Sequence, residues 1–133
     1  SAEEKKLDEA VKTLDAAIEL EPTYASAYNN RSAQVLQLKG NLDGALRDVD
    51  RAIELSVGRA DVLSQALTQK GVILRVKQDD DGARAAFEAA AKYGSKFAQQ
   101  QAVALNPYAA LCNKFLAQSI AELRSGKESC IPA

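Results

Sequence analysis

One pattern of small and large apolar residues occurs three times along the chain. Each copy has an alanine, a large apolar residue four positions later and a second alanine three positions after that. The copies are Ala10–Leu14–Ala17, Ala45–Val49–Ala52 and Ala83–Phe87–Ala90. Spacings of four and three place such side chains on one face of an α-helix. The copies begin 35 and 38 residues apart, and repeats of this length are typical of helical solenoids.

Residues 25–55 contain one complete copy of the repeating unit. Two helical patterns flank a turn at Lys39–Gly40–Asn41, where glycine and asparagine favour a chain reversal. The apolar face of the first helix carries Tyr28, Arg31, Val35 and Leu38. The stretch resembles one tetratricopeptide repeat, a unit of about 34 residues. The alternative is an unrelated helical bundle.

We therefore predict one all-α domain, a right-handed tetratricopeptide superhelix of about two and a half repeats with C-terminal capping helices. Its predicted parts are the second helix of an incomplete first repeat at residues 3–21, a second repeat at 23–56, a third at 59–93, capping helices at 95–125 and a loose tail at 126–133. The helix that would pair with the first one is expected upstream of Ser1. An uncovered solenoid end exposes apolar surface, so we also expect self-association through the N-terminal end.

Local signals mark where the later helices begin. Asp79, Ser95 and Asn106 are N-cap residues by type, and Pro107 is favoured at the first helical position. The acidic run at Asp79 lacks the alternation of a calcium loop, so we interpret it as a helix start. The predicted last helices are residues 96–105 and about 107–124, with Gly126 ending the second.

The last predicted helix has one apolar face. Its members are Tyr108, Leu111, Phe115, Ile120 and Leu123. Cys112 lies beside this face, and we expect it to be a small buried residue.

A more specific resemblance lies in the C-terminal third. The run LNPYAALCNKFLA at residues 105–117 is similar to the tetratricopeptide repeat protein 36 family, and FAQQQAVA and AYNNRS earlier in the chain also fit. The resemblance covers nearly the whole chain. It implies a small intracellular repeat protein with a helical C-terminal cap, associated with the Hsp70 chaperone. It also implies an additional N-terminal segment in family members.

Composition excludes several classes of function. The chain has no histidine and two cysteines, so His-dependent catalytic arrangements and tetrahedral metal sites are not expected. A net charge of −1 argues against nucleic-acid binding, which needs clustered cations. No apolar run is long enough to span a membrane. We expect no catalytic activity, cofactor or metal, and the low cysteine count predicts a reducing compartment, namely the cytoplasm, with the nucleus left open.

Protein binding is the predicted function, because the first helices of successive repeats line a concave groove that receives peptides. The predicted groove residues are Asn29, Asn30, Gln65, Thr68, Gln69 and Arg75. Chaperone-binding repeats clamp a terminal carboxylate with paired cations, but the corresponding third-repeat positions here are the neutral Gln65 and Gln69. We therefore predict an adaptor or co-chaperone, with Hsp70 or a client as partner and without this clamp. The alternative is a structural scaffold assembling through its N-terminal face or convex surface.

Overall fold

Seven helices make up the part of the chain that the computed structural model describes, residues 2–39 and 41–126. They are α1 (Ala2–Leu20), α2 (Ala25–Lys39), α3 (Leu42–Leu55), α4 (Ala60–Val76), α5 (Asp80–Lys92), α6 (Lys96–Leu105) and α7 (Pro107–Arg124). No strand occurs within these residues. The predicted all-α fold is confirmed, whereas Gly40 of the predicted turn and most of the predicted tail, residues 127–133, lie outside the described residues.

Side-chain caps fix the starts of four helices. The Asn41 side chain accepts a hydrogen bond from the Gly44 N–H at 3.0 Å, and Asp79 accepts one from Gly82 at 3.0 Å. Ser95 does the same for the Ala98 N–H at 3.1 Å. Asn106 accepts from the Tyr108 N–H at 3.0 Å. These bonds satisfy backbone donors that have no partner inside the helix, and all three N-caps predicted from the sequence are confirmed.

Neighbouring helices along the chain pack against each other as a stack. Helices α2 and α3 form one antiparallel pair, α4 and α5 form the next, and α3 packs on α4 between them. Helix α1 packs on α2 at one end, and α6 packs on α5 at the other. The first helices α2 and α4 also contact each other directly, which places them side by side on one surface.

The repeated triplets form the core. Ala45, Val49 and Ala52 belong to a buried cluster that also contains Ala66 and Ile73. The second cluster consists of Ala83, Phe87, Ala90, Ala98 and Ala102. The first triplet is only half-buried, and α1 contains no buried residue, because α2 is the one described helix against which it packs.

Helices α4 and α5 approach closely at Gly71. A Cβ atom at this position would lie 2.6 Å from the ring of Phe87, closer than two carbon atoms can pack. Phe87 is 1% exposed and contacts Phe97 edge-on, with ring centroids 6.2 Å apart. The absence of a side chain at Gly71 therefore makes room for the large residue of the third triplet.

One arginine connects the first three helices. Arg31 of α2 donates two hydrogen bonds to the Asp48 carboxylate of α3, at 2.7 and 2.9 Å, and one to Asp15 of α1 at 3.0 Å. Its guanidinium also lies 5.5 Å from the centre of the Tyr28 ring. The hydrogen bond with Asp48, which outweighs the opposing effect of burial, holds the pKa of Arg31 above its ordinary value, so the side chain remains cationic.

Helix α7 packs differently from the other helices. Among the described helices it contacts only α6, and its predicted apolar face is exposed. The expectation that Cys112 is buried is wrong: Cys112 is exposed, because no described helix covers this side of α7.

Replacing Gly71 with alanine should destabilise the chain by about 1–2 kcal/mol. The added Cβ overpacks the Phe87 ring, which typically costs more than alanine gains in helix propensity. Urea denaturation followed by circular dichroism measures the change. In a Phe87→Leu background the same substitution should cost less, because the ring is gone. A Gly71→Ala chain as stable as the parent would contradict this account of the close approach.

Replacing Arg31 with lysine should cost about 1–2 kcal/mol of unfolding free energy. Lysine keeps the charge, but it cannot make a two-point contact with Asp48 while also reaching Asp15. The matched control is Arg51→Lys, since the ion pair of Arg51 is with the exposed Glu54 of its own helix and its further hydrogen bond is with Tyr28. That change should stay within about 0.5 kcal/mol. Equal losses for both variants, measured by urea denaturation, would show that Arg31 has no special structural role.

Candidate functional site

A cavity of about 500 Å³ opens between α2, α4 and the segment that joins α5 to α6. We call it the groove cavity. Its lining residues are Asn29, Asp61, Ser64, Gln65, Thr68, Gln69, Tyr93, Gly94 and Ser95. It lies on the side of the stack formed by the first helices, where the sequence predicts a peptide-binding groove.

Helical spacing explains why α4 contributes most of the lining. Asp61, Gln65, Thr68 and Gln69 recur at intervals of four, three and one, so they lie on one face of the helix. Ala66 and Ile73, on an adjacent face of the same helix, belong to the core. Because α2 packs directly on α4, Asn29 reaches the cavity from the neighbouring first helix.

Hydroxyl groups form the floor of the groove cavity and bond within the protein. Thr68 donates to the Ser64 carbonyl at 2.8 Å, and its hydroxyl oxygen lies 3.1 Å from that of Ser95. The Ser64 hydroxyl donates to the carbonyl of Ala90 at 3.4 Å. These bonds tie α4 to α5 and to the start of α6, and they make the floor a fixed surface.

The amide side chains around the floor differ from these hydroxyl groups in their hydrogen bonding. No described residue forms a hydrogen bond with the side chain of Gln65 or Gln69. The Oδ1 atom of Asn29 is buried and has no hydrogen-bond partner in the described chain. A buried acceptor without a donor costs about 1–3 kcal/mol.

The charge of the groove cavity does not suit a terminal carboxylate. Asp61 is the only formally charged residue of its lining. Lys70 pairs with Asp50 at 2.8 Å, and Arg75 donates to Gln101 of α6. The two nearest cations of α4 are thus directed to other partners, and the lining offers amides, hydroxyls and one carboxylate.

The structure brings together four of the six residues predicted from the sequence, namely Asn29, Gln65, Thr68 and Gln69. Asn30 is exposed and does not line the groove cavity, and Arg75 is engaged with α6. Sequence reasoning did not find the contribution of Tyr93, Gly94 and Ser95, because that loop reaches α4 only through the packing of α5. Ser64 and Asp61 could have been predicted as lining residues, since each lies one helical turn before a residue that was predicted.

Potential metal ligands do not cluster among the described residues. No group of three potential metal ligands occurs among them, and the whole chain has no histidine. Within the same residues, no helix has the length and apolar character required to cross a bilayer.

No protein-family model matches the chain. Individual proteins do match it. The chain is 48% identical over 129 residues to tetratricopeptide repeat protein 36 of Homo sapiens, covering 97% of this chain and 68% of that protein. It is 49% identical over 129 residues to the protein of the same name from Danio rerio, with the same coverage. A Drosophila melanogaster homolog is 41% identical over 124 residues, covering 92% of this chain and 66% of the relative. The chain thus spans about two thirds of the length of these relatives.

The amides and the floor of the groove cavity should respond differently to substitution. Gln65→Ala and Gln69→Ala should change the unfolding free energy by less than about 0.5 kcal/mol each, because neither side chain has a structural partner. Thr68→Val, which keeps the shape but removes the hydroxyl, should cost about 1 kcal/mol. Thermal and urea denaturation measure all three. A large loss for either glutamine variant would assign that residue to the scaffold.

Proposed function

Because the chain belongs to the tetratricopeptide repeat protein 36 family, we propose that it is a non-enzymatic adaptor or co-chaperone that binds a protein partner in the groove between its first helices. Tetratricopeptide repeats are protein-interaction modules whose concave surfaces receive peptides.

One observation carries the proposal: the stack brings Asn29 and Gln65 from two different helices to one cavity. Side-chain amides both donate and accept hydrogen bonds, as does each peptide unit of an extended ligand. Asn29 lines this cavity together with Gln65 and Gln69, and these amides suit the carbonyl and N–H groups of such a ligand.

Hsp70 is the first candidate partner, on the resemblance of the chain to its family. The proposed contact does not depend on the terminal carboxylate of the chaperone. Asp61 would repel such a group, and the two cations of α4, Lys70 and Arg75, bond with other residues. A partner of this kind would place the protein in the cytoplasm.

A structural scaffold is the second proposal, assembling through the N-terminal helix. Its support is the packing of α1, whose apolar residues Leu7, Val11, Leu14 and Ile18 are only half-buried against α2, while Leu20 at its end is 87% exposed. Under this proposal the groove has no ligand, so groove variants would leave assembly unchanged.

Calorimetric titration tests the first proposal. The chain is titrated with intact Hsp70, with the C-terminal peptide of Hsp70, and with the same peptide amidated at its carboxylate. We expect binding of Hsp70 and no difference between the two peptides. Asn29→Ala combined with Gln65→Ala should weaken the interaction with Hsp70 by about tenfold or more, since each lost hydrogen bond is worth about 1 kcal/mol.

The control variant is Asn30→Ala, an exposed neighbour outside the groove cavity, which should bind as the parent does. Peptide binding that disappears on amidation would show that a carboxylate clamp exists after all. No binding by Hsp70 would remove it as the partner. Binding that survives the Asn29 and Gln65 changes would move the contact away from the groove cavity.

A further inference from the structure

A second cavity, of about 630 Å³, opens between α3, the turn that follows it, α4 and α5. We call it the apolar cavity. Its volume lies in the range of about 300–1,000 Å³ that is usual for small-molecule sites in proteins. Six apolar residues form its walls, namely Ile53, Val57, Ala60, Leu63, Leu67 and Ala89.

The apolar cavity and the groove cavity lie on different faces of α4. Leu63 and Leu67 line the apolar cavity, whereas Gln65 and Gln69 line the groove cavity. Residues two positions apart on a helix point in directions about 160° apart by geometry. Among the described residues the two cavities share only Tyr93, at the end of α5. A ligand of one cavity is therefore not a ligand of the other.

A hydrogen-bonded turn fixes one edge of the apolar cavity. The Arg59 N–H donates to the Ser56 carbonyl at 2.9 Å, and the Ser56 hydroxyl donates to the carbonyl of Ile53 at 3.2 Å. Gly58, which also lines the cavity, has a φ of +83°, a conformation that glycine adopts without steric cost. The turn holds this edge in one place, as in a pre-formed ligand site.

Two polar side chains stand beside these walls. Arg59 is the only charged residue among the described residues that line the apolar cavity. It is exposed, and no carboxylate of the described chain forms an ion pair with it. Its planar guanidinium suits the two oxygens of a carboxylate. The phenol of Tyr93, which is 46% exposed, offers one further O–H donor.

The walls suit an alkyl chain better than a peptide. Every peptide unit carries an N–H and a C=O group that need partners when they are buried, and the six wall residues offer no polar side chain. An alkyl chain has no such groups, and burying each of its CH₂ groups is favourable. The lining thus matches a ligand with a hydrocarbon body and one anionic head group.

We propose that the apolar cavity binds a free alkyl carboxylate of medium chain length. The hydrocarbon chain lies between α3, α4 and α5, and the carboxylate lies at Arg59. Binding at this site needs no ligand in the groove cavity and no partner protein.

Calorimetric titration of the whole chain with butanoate, hexanoate and octanoate tests the proposal. We expect a dissociation constant of about 1 mM or tighter for octanoate. Affinity should rise about threefold for each added CH₂ group, because each is buried against the walls. In two-dimensional NMR spectra of the ¹⁵N-labelled chain, octanoate should shift the amide signals of Gly58, Ala60 and Ala89 most.

Charge reversal at Arg59 tests the head group. Arg59→Glu should weaken octanoate binding about threefold or more and strengthen octylammonium binding, because the charge at the edge of the cavity changes sign. Binding of octanol, which is uncharged, should stay within about twofold. The matched control is Arg47→Glu, since Arg47 is an exposed arginine of α3 outside the cavity. It changes the net charge equally and should leave all three ligands within about twofold.

Filling the apolar cavity tests the walls. Ala89→Leu should weaken octanoate and octanol alike, by about tenfold or more, because the added side chain takes the space of several CH₂ groups of the ligand. Ala85→Leu, at an exposed position of the same helix outside the cavity, is the control and should bind both as the parent does. Circular dichroism should show the same helix content for both variants.

Any of three results would overturn the proposal. One is the absence of octanoate binding at about 10 mM. Another is an equal effect of Arg47→Glu and Arg59→Glu, which would show that octanoate responds to net charge rather than to this site. The last is a set of amide shifts centred on Leu111 and Phe115, which would place the ligand on the exposed apolar side of α7.

Discussion

Close approach between helices is the constraint on which this structure depends. The chain has no tryptophan or methionine and few aromatic residues, so its helices gain contact through small side chains at the interfaces rather than through bulk. Alanine occupies both ends of each repeated triplet, Gly71 admits the Phe87 ring, and the buried Ser32 donates to the Ala45 carbonyl at 2.6 Å. Such interfaces have little tolerance for added volume.

This packing through small side chains explains which features of the fold the sequence could predict. Helix starts follow from local chemistry, because a cap such as Asp79 or Ser95 needs only a backbone donor three residues later. The core follows from the triplet spacing. The burial of an element depends instead on its neighbours: the same triplet is buried at Ala45 and Ala83 but half-buried at Ala10, and no local pattern shows how many helices cover a face.

The candidate site shows the same limit. Helical periodicity and the resemblance to a repeat array together assigned Asn29, Gln65, Thr68 and Gln69 to the concave face, because a residue one helical turn from another shares its direction. They could not distinguish Asn29 from Asn30, which lie about 100° apart on the helix by geometry, nor show that Arg75 is engaged with Gln101 of α6. Those distinctions depend on contacts between residues distant in sequence, as does the contribution of Tyr93 and Ser95.

Different faces of α4 have different roles, and this has a functional consequence. The inner face of α4 packs into the core. The hydroxyl groups of α4 fix the floor of the groove cavity, and the amide side chains of α4 remain available to a ligand. Helix α7 contacts neither α2 nor α4 in the described structure, so its packing leaves these amides uncovered. A ligand of the groove cavity would therefore meet side chains on a helix that the core already holds in place.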